Sequence, residues 1–349
     1  MEASIILVIY NGMQYLPECL RSLGSELNGD CELILIDNAS SDSSSEYVRT
    51  QYPQVCLVQN TRNVGFAAAC NQGARLAQGD FFIFLNQDTR VCPGWLKGLL
   101  EPFSGCQAVG LSTSKLVVMS SPEKIHTCGQ DIHFSGLTFG RGLLQPAACC
   151  QRGGPVGAVS GASFAIRSEL WKHLGGLDEQ LFMYYEETDL SWRAWLAGFA
   201  CFYTPASMLY HDYRLKSSAS ALYYSARNRW VLLLKYWRIP TFFLLAPGLL
   251  LAELVDWGVS ALNGRAGISA KLKSAGWLVR NLPAIWRSRR TSRSSRKKPD
   301  WFLLEHCTST LRPKVLTGGL VGKLIVCLVN VLFWLNYQAA SFVEKRLNI

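Results

Sequence analysis

Residues 4–10, SIILVIY, are an unbroken apolar run that ends at Asn11-Gly12. A run of this length without polar alternation is typical of a strand that is buried on both faces of a parallel sheet. Runs of the same kind return as CELILI at 31–36, VCLVQ at 55–59 and FFIFL at 81–85. These four segments are the predicted strands of the fold.

The segments between the predicted strands have helical periodicity. Four leucines recur at i, i+4, i+7 and i+11 after the first strand, namely Leu16, Leu20, Leu23 and Leu27. Another helix is centred on 66–77, before the fourth strand. Strands that alternate with helices in this way predict an α/β fold with a mainly parallel sheet and helices on both faces.

The composition is that of a folded protein. The chain has 349 residues, 49% hydrophobic and 17% charged, which excludes an intrinsically disordered class. Its 12 cysteines include no C-x-x-C, which argues against a zinc ribbon or a redox motif. The N-terminus runs into an apolar strand without a basic segment or cleavage site, so we expect a cytoplasmic catalytic domain in a reducing compartment.

The net charge of +10 is concentrated in one part of the chain. Residues 265–314 hold 13 Lys and Arg against two acids, Asp300 and Glu305, whereas the remaining residues are nearly neutral. Serines separate many of the cations, which is typical of an exposed segment rather than of packed core. A solvated tail, a nucleic-acid surface and an anionic membrane surface are the possible interpretations.

Two apolar segments flank the basic one and favour a membrane surface over nucleic acid. Residues 239–252 are uncharged but stop at Glu253, short of the roughly 20 residues that span a bilayer. Residues 324–343 are uncharged for 20 positions but contain Asn330 and Asn336. We expect helices that lie in the cytoplasmic membrane surface, with one C-terminal transmembrane span or ordinary core packing as the alternatives.

This pattern predicts two domains. Residues 1–238 are the predicted catalytic domain, and residues 239–349 are a helical, basic and apolar membrane-associating region.

Ligands of parallel sheets bind at the carboxyl ends of the strands, so the residues that follow each predicted strand are the candidate site. They are Asn11, Asp37, Asn38, Asn63, Asn86, Gln87 and Asp88. The two acids are suited to bind a base, a ribose or a divalent cation, whereas an Asx turn is the alternative explanation for each. G-x-G-x-x-G, the P-loop motif, G-x-S-x-G and H-E-x-x-H are absent, which argues against nicotinamide, P-loop, hydrolase-elbow and zincin chemistry.

Longer motifs in fixed order make a family resemblance specific. They are SIILVIYNGMQYLPECLRSL from 4, ELILIDNASSDSS from 32, NVGFAAACNQGARLAQGDFFIFLNQDT from 63, GAVSGASFAIRSELW from 157, GGLDEQLFMYYEETDLSWRAWLAGF from 175, MLYHDY from 208 and YYSARNRWVLLLKY from 223. Over roughly residues 3–237 the chain resembles the family 2 nucleotide-sugar glycosyltransferases of GT-A fold. Within that family it looks most like the rhamnosyltransferase-type members.

The resemblance implies roles for the strand-end residues. It makes Asp37 the contact to the base of a nucleotide-sugar donor, and it makes Asp88 and His211 the ligands of Mg²⁺ or Mn²⁺. The family's usual Asp-x-Asp is here Asn86-Gln87-Asp88, so an amide replaces one carboxylate. The implied nucleotide-sugar-binding residues are Tyr10, Asn11, Asp37, Asn38, Asn63, Gly65, Asn86, Gln87 and Asp88.

Three acids follow an aromatic run at the start of a predicted helix: Glu186, Glu187 and Asp189. Acids in a first helical turn also complement the helix dipole, which is the alternative to a catalytic role. In the family the motif is Glu-Asp and its second residue is the catalytic base, and Glu187 occupies that position. The candidate acceptor residues are Glu186 and Asp189, together with Ser160 and Gly161.

The predicted function is therefore that of an inverting glycosyltransferase. It would move rhamnose or a related deoxysugar from a nucleoside-diphosphate donor to a hydroxyl of a lipid-linked or cell-surface glycan. The expected partners are that donor, that acceptor and the cytoplasmic membrane surface, and not nucleic acid. A sugar nucleotidyltransferase and a non-catalytic membrane-associated binding or scaffold protein are the alternatives.

Overall fold

The structure is a computed structural model that describes residues 2–27, 29–212, 218–311 and 319–347. Contacts within the chain define two compact units. The first comprises residues 1–130, 140–194 and 198–214, and the second comprises residues 131–139, 195–197 and 215–349. The predicted boundary between 238 and 239 remains a proposal.

The described residues contain twelve strands. They are β1 (Ala3–Ile9), β2 (Cys31–Asp37), β3 (Cys56–Gln59), β4 (Phe81–Asn86), β5 (Thr89–Val91), β6 (Val109–Val118), β7 (Ile125–Thr127), β8 (Gln130–Ile132), β9 (Thr138–Gly140), β10 (Gly154–Pro155), β11 (Ser163–Arg167) and β12 (Ala200–His211). The main sheet has the order β10-β12-β6-β11-β4-β1-β2-β3, with β5 on β12 and β7 on β6. Strands β8 and β9 pair separately.

The predicted parallel sheet is confirmed in the half that contains β4, β1, β2 and β3. Strand β1 pairs in parallel with both β2 and β4, so that Ile5 lies opposite Leu33 on one side and Ile83 on the other. All seven residues of β1 are buried, which explains why this strand is a continuous apolar run without alternation.

The other half of the sheet is mixed. Strand β11 runs antiparallel between β4 and β6, and β12 is parallel to β6. All ten residues of β6 are buried although several of them are polar. Ser114 Oγ satisfies its hydrogen bonding with Ser163 Oγ at 2.8 Å and Ser207 Oγ at 2.7 Å. Such cross-strand pairing allows polar side chains to occupy the core.

Six α-helices lie between β1 and β12 in the described residues, and all but the last three residues of the sixth belong to the first unit. They are α1 (Leu16–Leu23), α2 (Ser44–Gln51), α3 (Phe66–Leu76), α4 (Trp95–Gly105), α5 (Ser168–Leu174) and α6 (Glu186–Ala197). Helix α1 buries Leu16, Leu20 and Leu23 as their spacing predicts, and Leu27 lies beyond the helix end. The first residues of α6 are the three predicted acids.

The second unit is helical, as predicted for the C-terminal region. Its helices are α7 (Ala219–Tyr236), α8 (Ile239–Leu262), α9 (Gly264–Ser294), α10 (Asp300–Glu305) and α11 (Gly319–Leu347). Glu253, in the middle of α8, accepts hydrogen bonds from Arg229, from Trp230 Nε1 at 2.9 Å and from Lys271 Nζ at 2.7 Å. Helix α8 continues past Glu253 to Leu262, and the carboxylate is paired with two cations, Arg229 and Lys271.

The apolar helix α8 is longer than the sequence indicated. It has 24 residues, and both α8 and residues Gly322–Leu347 of α11 are long and apolar enough to cross a membrane by length and composition. The expectation that the first apolar segment is too short to span is therefore wrong, because the helix does not end at Glu253. Large apolar side chains on α8 remain exposed, including Phe243, Leu250 and Leu254.

Candidate active site

A cavity of about 210 Å³ lies at the carboxyl ends of β1 and β4. Strand β1 has β2 on one side and β4 on the other, so the chain order changes direction there, and α/β sheets bind ligands at such a point. Seven of the predicted nucleotide-sugar residues line this cavity, namely Tyr10, Asn38, Asn63, Gly65, Asn86, Gln87 and Asp88. Four further residues complete its wall, namely Val8, Phe66, Phe182 and Met183.

Asn38 organises one wall of the cavity. Its Oδ1 accepts a hydrogen bond from the backbone N of Val64 at 3.0 Å, and its Nδ2 donates to Asn63 Oδ1 at the same distance. Asn63 Oδ1 also accepts from the backbone N of Gly65 at 2.9 Å. The two asparagines therefore fix the loop from Asn63 to Gly65 against the end of β2.

Gln87 joins the ends of β1 and β4. Its Oε1 accepts from the backbone N of Tyr10 at 2.9 Å, and its Nε2 donates to the Tyr10 carbonyl at 3.1 Å. A Cβ on Gly12 would lie 2.1 Å from Gln87 Oε1, so the Gly12 position requires glycine for this contact. The amide of Gln87 therefore holds Tyr10, which is 46% exposed, at the cavity.

Asp37 and Asn11 do not line the cavity. Asp37 is fully buried, and its carboxylate accepts from the backbone N of Ser40 at 2.9 Å and from the hydroxyl of Ser45. Asn11 Oδ1 accepts from the backbone N of Ser41 at 2.8 Å. Both side chains thus shape the loop after β2, as an Asx turn does, and their predicted contact with the donor stays a prediction.

Asp88 and His211 meet at the edge of the site. Strand β5 pairs antiparallel with the end of β12, which places Thr89 opposite His211. As a result Asp88 Oδ1 lies 3.3 Å from His211 Nε2. Two residues that are distant in the sequence are therefore adjacent, as the resemblance implies.

A second histidine supports His211. The Nδ1 atoms of His126 and His211 are 2.9 Å apart, so one ring donates and the other accepts. Burial, and then the neighbouring His211, hold the pKa of His126 well below its ordinary value, so His126 is neutral near pH 7. This contact orients the His211 ring so that its Nε2 atom faces Asp88. His126 could not be recognised from the sequence, because it is 85 residues from His211 and only the fold brings the two rings together.

The donors at this edge fit a divalent cation that is shared with a ligand. Within the described ranges no group of three or more His, Cys, Asp or Glu side chains converges to hold a metal ion. Asp88 and His211 offer one carboxylate and one imidazole at 3.3 Å. Mg²⁺ commonly takes only one or two carboxylates from the protein and the remainder from substrate phosphates and water. Asp88 and His211 therefore fit a divalent cation whose remaining ligands come from the phosphates of a bound nucleoside diphosphate and from water.

Glu187 lies next to the predicted acceptor segment. A Cβ on Gly161 would be 3.6 Å from the Glu187 Oε2 atom, so this carboxylate faces the Gly161 backbone. Gly161 precedes Ala162, whose carbonyl accepts from the backbone N of Asn86 at 3.1 Å. The contacts thus connect the Glu187 carboxylate to the end of β4. Burial raises the pKa of Glu187 to about 7.

The neighbouring acids have different surroundings. Glu186 is buried, and its Oε2 has no hydrogen-bond partner among the described residues. Burial, followed by the charge of Glu187, raises the pKa of Glu186 well above its ordinary value. Asp189 pairs with Arg193 at 2.8 Å, and Ser160 Oγ accepts from the backbone N of Ala162 at 3.4 Å. The predicted acceptor roles of these residues remain predictions.

The loop before α6 has an unusual backbone. Phe182, Tyr184 and Tyr185 have φ values of 65°, 65° and 72°, in the left-handed region that favours glycine. Phe182 packs against Gly65, where a Cβ would lie 2.5 Å from the Phe182 ring. Backbone strain of this kind clusters at functional sites. The sequence reasoning did not identify Phe182 and Met183 as wall residues, because a loop conformation leaves no periodic signal.

The N-terminal part of the chain is similar to known proteins. Residues 4–127 match the family "Glycosyl transferase family 2". The chain is 26% identical over 229 residues to the N-acetylglucosaminyl-diphospho-decaprenol L-rhamnosyltransferase of Mycobacterium tuberculosis, covering 59% of this chain and 75% of that protein. It is 28% identical over 229 residues to N-acetylgalactosaminyltransferase 6 of Drosophila melanogaster, covering 60% of this chain but only 34% of that protein.

Solved structures agree on the fold. The crystal structure of GalNAc-T7 with UDP, GalNAc and Mn²⁺ matches with a TM-score of 0.58 at 22% identity, covering 71% of this chain and 51% of that one. The S. aureus TarS structure in complex with UDP-GlcNAc matches with a TM-score of 0.55 at 15% identity, covering 99% of this chain and 92% of that one. The predicted GT-A architecture is confirmed.

Proposed function

We propose that this protein, of which residues 4–127 match the family "Glycosyl transferase family 2", is an inverting glycosyltransferase that uses a nucleoside-diphosphate sugar. The observation that supports this most directly is the meeting of seven predicted donor residues around one cavity at the ends of β1 and β4. The mycobacterial relative is named as a rhamnosyltransferase that acts on a diphospho-decaprenol acceptor. We therefore propose rhamnose or a related deoxysugar as the transferred group and a lipid-linked or cell-surface glycan as the acceptor.

The proposed reaction is a single displacement at the anomeric carbon of the sugar. An acceptor hydroxyl oxygen forms the new bond to that carbon while the bond to the diphosphate oxygen breaks, so the nucleoside diphosphate leaves and the configuration inverts. Glu187 takes the proton of the attacking hydroxyl. A general base works best when its pKa is close to the working pH, and the raised pKa of Glu187 meets this condition.

The other residues of the cavity bind and orient the donor. Asn63 and Asn86 offer amide groups to the nucleotide, Asn38 holds the loop that carries Asn63, and Tyr10 offers an exposed aromatic ring. Asp88 and His211 would hold a Mg²⁺ or Mn²⁺ ion, which when bound supplies positive charge to the leaving diphosphate. Asp88, the carboxylate of that pair, faces the cavity and is 29% exposed.

The experiment separates binding from transfer. We expect Glu187→Gln to lower the transfer rate roughly 100- to 10,000-fold, which is the usual contribution of a general base, while nucleotide binding is retained. We expect Asp88→Asn to weaken Mn²⁺-dependent binding of the nucleoside diphosphate. Binding is measured as a thermal shift with dTDP-, UDP- and GDP-sugars, with and without Mn²⁺, and transfer is measured as release of the nucleoside diphosphate.

Glu169→Gln is the matched control, because Glu169 is an exposed acid on α5 and touches none of these groups. If Glu187→Gln and Asp88→Asn lose binding and transfer equally, the separate roles are wrong. If no nucleotide sugar binds to the unmodified chain, the proposed function itself is wrong, and the scaffold alternative is favoured.

We further propose that the protein works at the cytoplasmic face of the membrane, where a lipid-linked acceptor is found. The exposed apolar residues of α8 and α11 support this location, since soluble proteins rarely expose large contiguous apolar surfaces.

A further inference from the structure

A second cavity lies in the helical unit and is lined mainly by cations. Its volume is about 660 Å³, and five of its eight lining residues are Arg or Lys. They are Arg238, Arg293, Arg296, Lys297 and Lys298, and the other lining residues are Ile239, Pro240 and Pro299. No acid is among the lining residues, so the cavity has the charge of an anion site.

The nearest acid, Asp300, neutralises only one of these five cations. Asp300 is fully buried, where its carboxylate binds the Arg296 guanidinium and accepts from the backbone N of Arg238 at 2.7 Å. Arg296 also donates to the backbone carbonyls of Tyr236 at 3.1 Å and Lys298 at 2.8 Å, so it is held in place. The charge of Asp300 therefore balances that of Arg296 and leaves the other four lining cations unbalanced.

The remaining four lining cations have no acid partner within the described part of the chain: Arg238, Arg293, Lys297 and Lys298. The second acid nearby, Glu344, is fully buried and accepts a hydrogen bond from Thr241 Oγ1 at 2.5 Å. An anion with several oxygens satisfies such a set of cations better than water does.

A buried arginine beside the cavity also has unused donors. Arg289 lies one helical turn before Arg293 on α9 and is 3% exposed. Its Nη1 donates to the Leu234 carbonyl, but its Nε and Nη2 have no partner among the described residues. Burial, and then the charge of Arg293, lower the pKa of Arg289 to about 10. The helix therefore brings an excess of positive charge to this end of the unit.

The position of the cavity identifies the kind of anion. Ile239 and Pro240 are the first residues of α8, so the cavity lies at the beginning of an apolar helix. Further along α8, Phe243, Leu250 and Leu254 are 71%, 66% and 69% exposed. Cations at the end of an apolar helix are found at the level of lipid headgroups, where anionic lipids attract them.

We propose that this basic cavity binds the phosphate group of an anionic membrane lipid. This inference rests on the membrane location proposed above and adds a specific headgroup site to it. The lipid phosphate accepts hydrogen bonds from the arginine and lysine side chains of the cavity, while the apolar residues of α8 contact the acyl chains.

The test compares two triple variants of the full chain that remove equal charge. Arg293→Gln/Lys297→Gln/Lys298→Gln alters the cavity, and the matched control Arg265→Gln/Lys273→Gln/Arg280→Gln alters three exposed cations elsewhere on α9. Each protein is sedimented with phosphatidylcholine vesicles and with vesicles in which phosphatidylglycerol replaces part of that lipid. The unmodified protein is expected to prefer the anionic vesicles.

The cavity variant is expected to lose about 10- to 100-fold in affinity for anionic vesicles, since each cation near an anionic surface contributes about 1 kcal/mol. The control is expected to lose much less. Equal losses in both variants would mean that diffuse charge, and not a site, attracts the lipid. The proposal is overturned if the cavity variant binds anionic vesicles as tightly as the unmodified protein. It is also overturned if the unmodified protein binds inorganic diphosphate but shows no preference for anionic vesicles.

Nucleotide binding in the same variants keeps this proposal separate from the proposed function. The cavity variant is expected to retain the Mn²⁺-dependent thermal shift with nucleotide sugars, which also shows that it is folded. If the unmodified chain discriminates between the vesicles but binds no nucleotide sugar, the headgroup site stands and the transferase proposal fails.

Discussion

Glu187 connects the local environment of one side chain to a measurable pH dependence. Burial raises its pKa to about 7, so the carboxylate carries a proton below that pH. A base must be ionised to accept a proton, and the transfer rate should therefore rise about tenfold per pH unit below pH 7 and level off above it. The measurement is kcat/KM for the donor as a function of pH.

The exposed-acid variant Glu169→Gln is the control for this profile and should keep it. A rate that does not change between acidic and neutral pH would show that Glu187 is not the base.

His126 is expected to act through His211. Its Nδ1 lies 2.9 Å from that of His211, and groups that orient a metal-binding histidine typically contribute 10- to 100-fold to metal affinity. We therefore expect His126→Ala to weaken Mn²⁺ binding about tenfold in the presence of a nucleoside diphosphate. The loss should be smaller than for His211→Ala.

Mn²⁺ titration followed by electron paramagnetic resonance measures this affinity directly. His173→Ala is the matched control, because His173 is exposed on α5. Nucleotide binding without metal should not change in any of the three variants. If it falls in His126→Ala, the histidine supports the fold and not the ion site.

At the scale of the elements, helix α8 offers a paired test of packing. A Cβ on Gly248 would lie 2.5 Å from Asn336 Oδ1 and 2.6 Å from the Phe134 ring, whereas a Cβ on Gly258 meets nothing within 4 Å. We expect Gly248→Ala to destabilise the helical unit by about 1–3 kcal/mol, because overpacking forces its neighbours to move. Gly258→Ala should stabilise it by up to about 1 kcal/mol, because alanine favours helix.

Thermal unfolding of the detergent-solubilised chain measures both changes. Equal effects of the two substitutions would mean that α8 and α11 do not pack as described at Gly248.

The elements also show which parts of the fold the sequence can predict. Strands β1, β2 and β4 are recognisable because both faces of their central residues are buried, so those residues form short continuous apolar runs. Strand β6 is equally buried but contains Ser112, Thr113 and Ser114, whose hydroxyls are satisfied by partners 13 to 93 residues away. Local periodicity cannot reveal such partners, and therefore the mixed half of the sheet was not predicted.

The same distinction applies to the candidate site. The rule that ligands bind at strand ends found five of the seven cavity residues because it uses only topology, whereas Tyr10 and Gly65 came from the family resemblance. It also included Asp37 and Asn11, whose side chains bond within the loop after β2, because a carboxylate in a turn and one in a site look alike in sequence. His126 and Phe182 were missed because only the folded chain brings them to His211 and Gly65.

For the whole molecule, charge and apolar surface make separable contributions to membrane binding. Salt screens exposed charges, with a Debye length of about 3 Å at 1 M, but does not weaken the burial of apolar helices. We expect the protein to remain in the membrane fraction after a wash with high salt and to be released by detergent. Release by salt alone would show that α8 and α11 do not enter the lipid.

The three tyrosine and phenylalanine residues with left-handed backbone have a consequence for protein engineering. Glycine adopts such φ values without steric penalty, so Tyr184→Gly, at the most exposed of the three, is expected to raise heat resistance. The same substitution gives the segment ahead of Glu186 and Glu187 more conformations to sample. Directed evolution for thermotolerance alone is therefore expected to select against turnover at this loop.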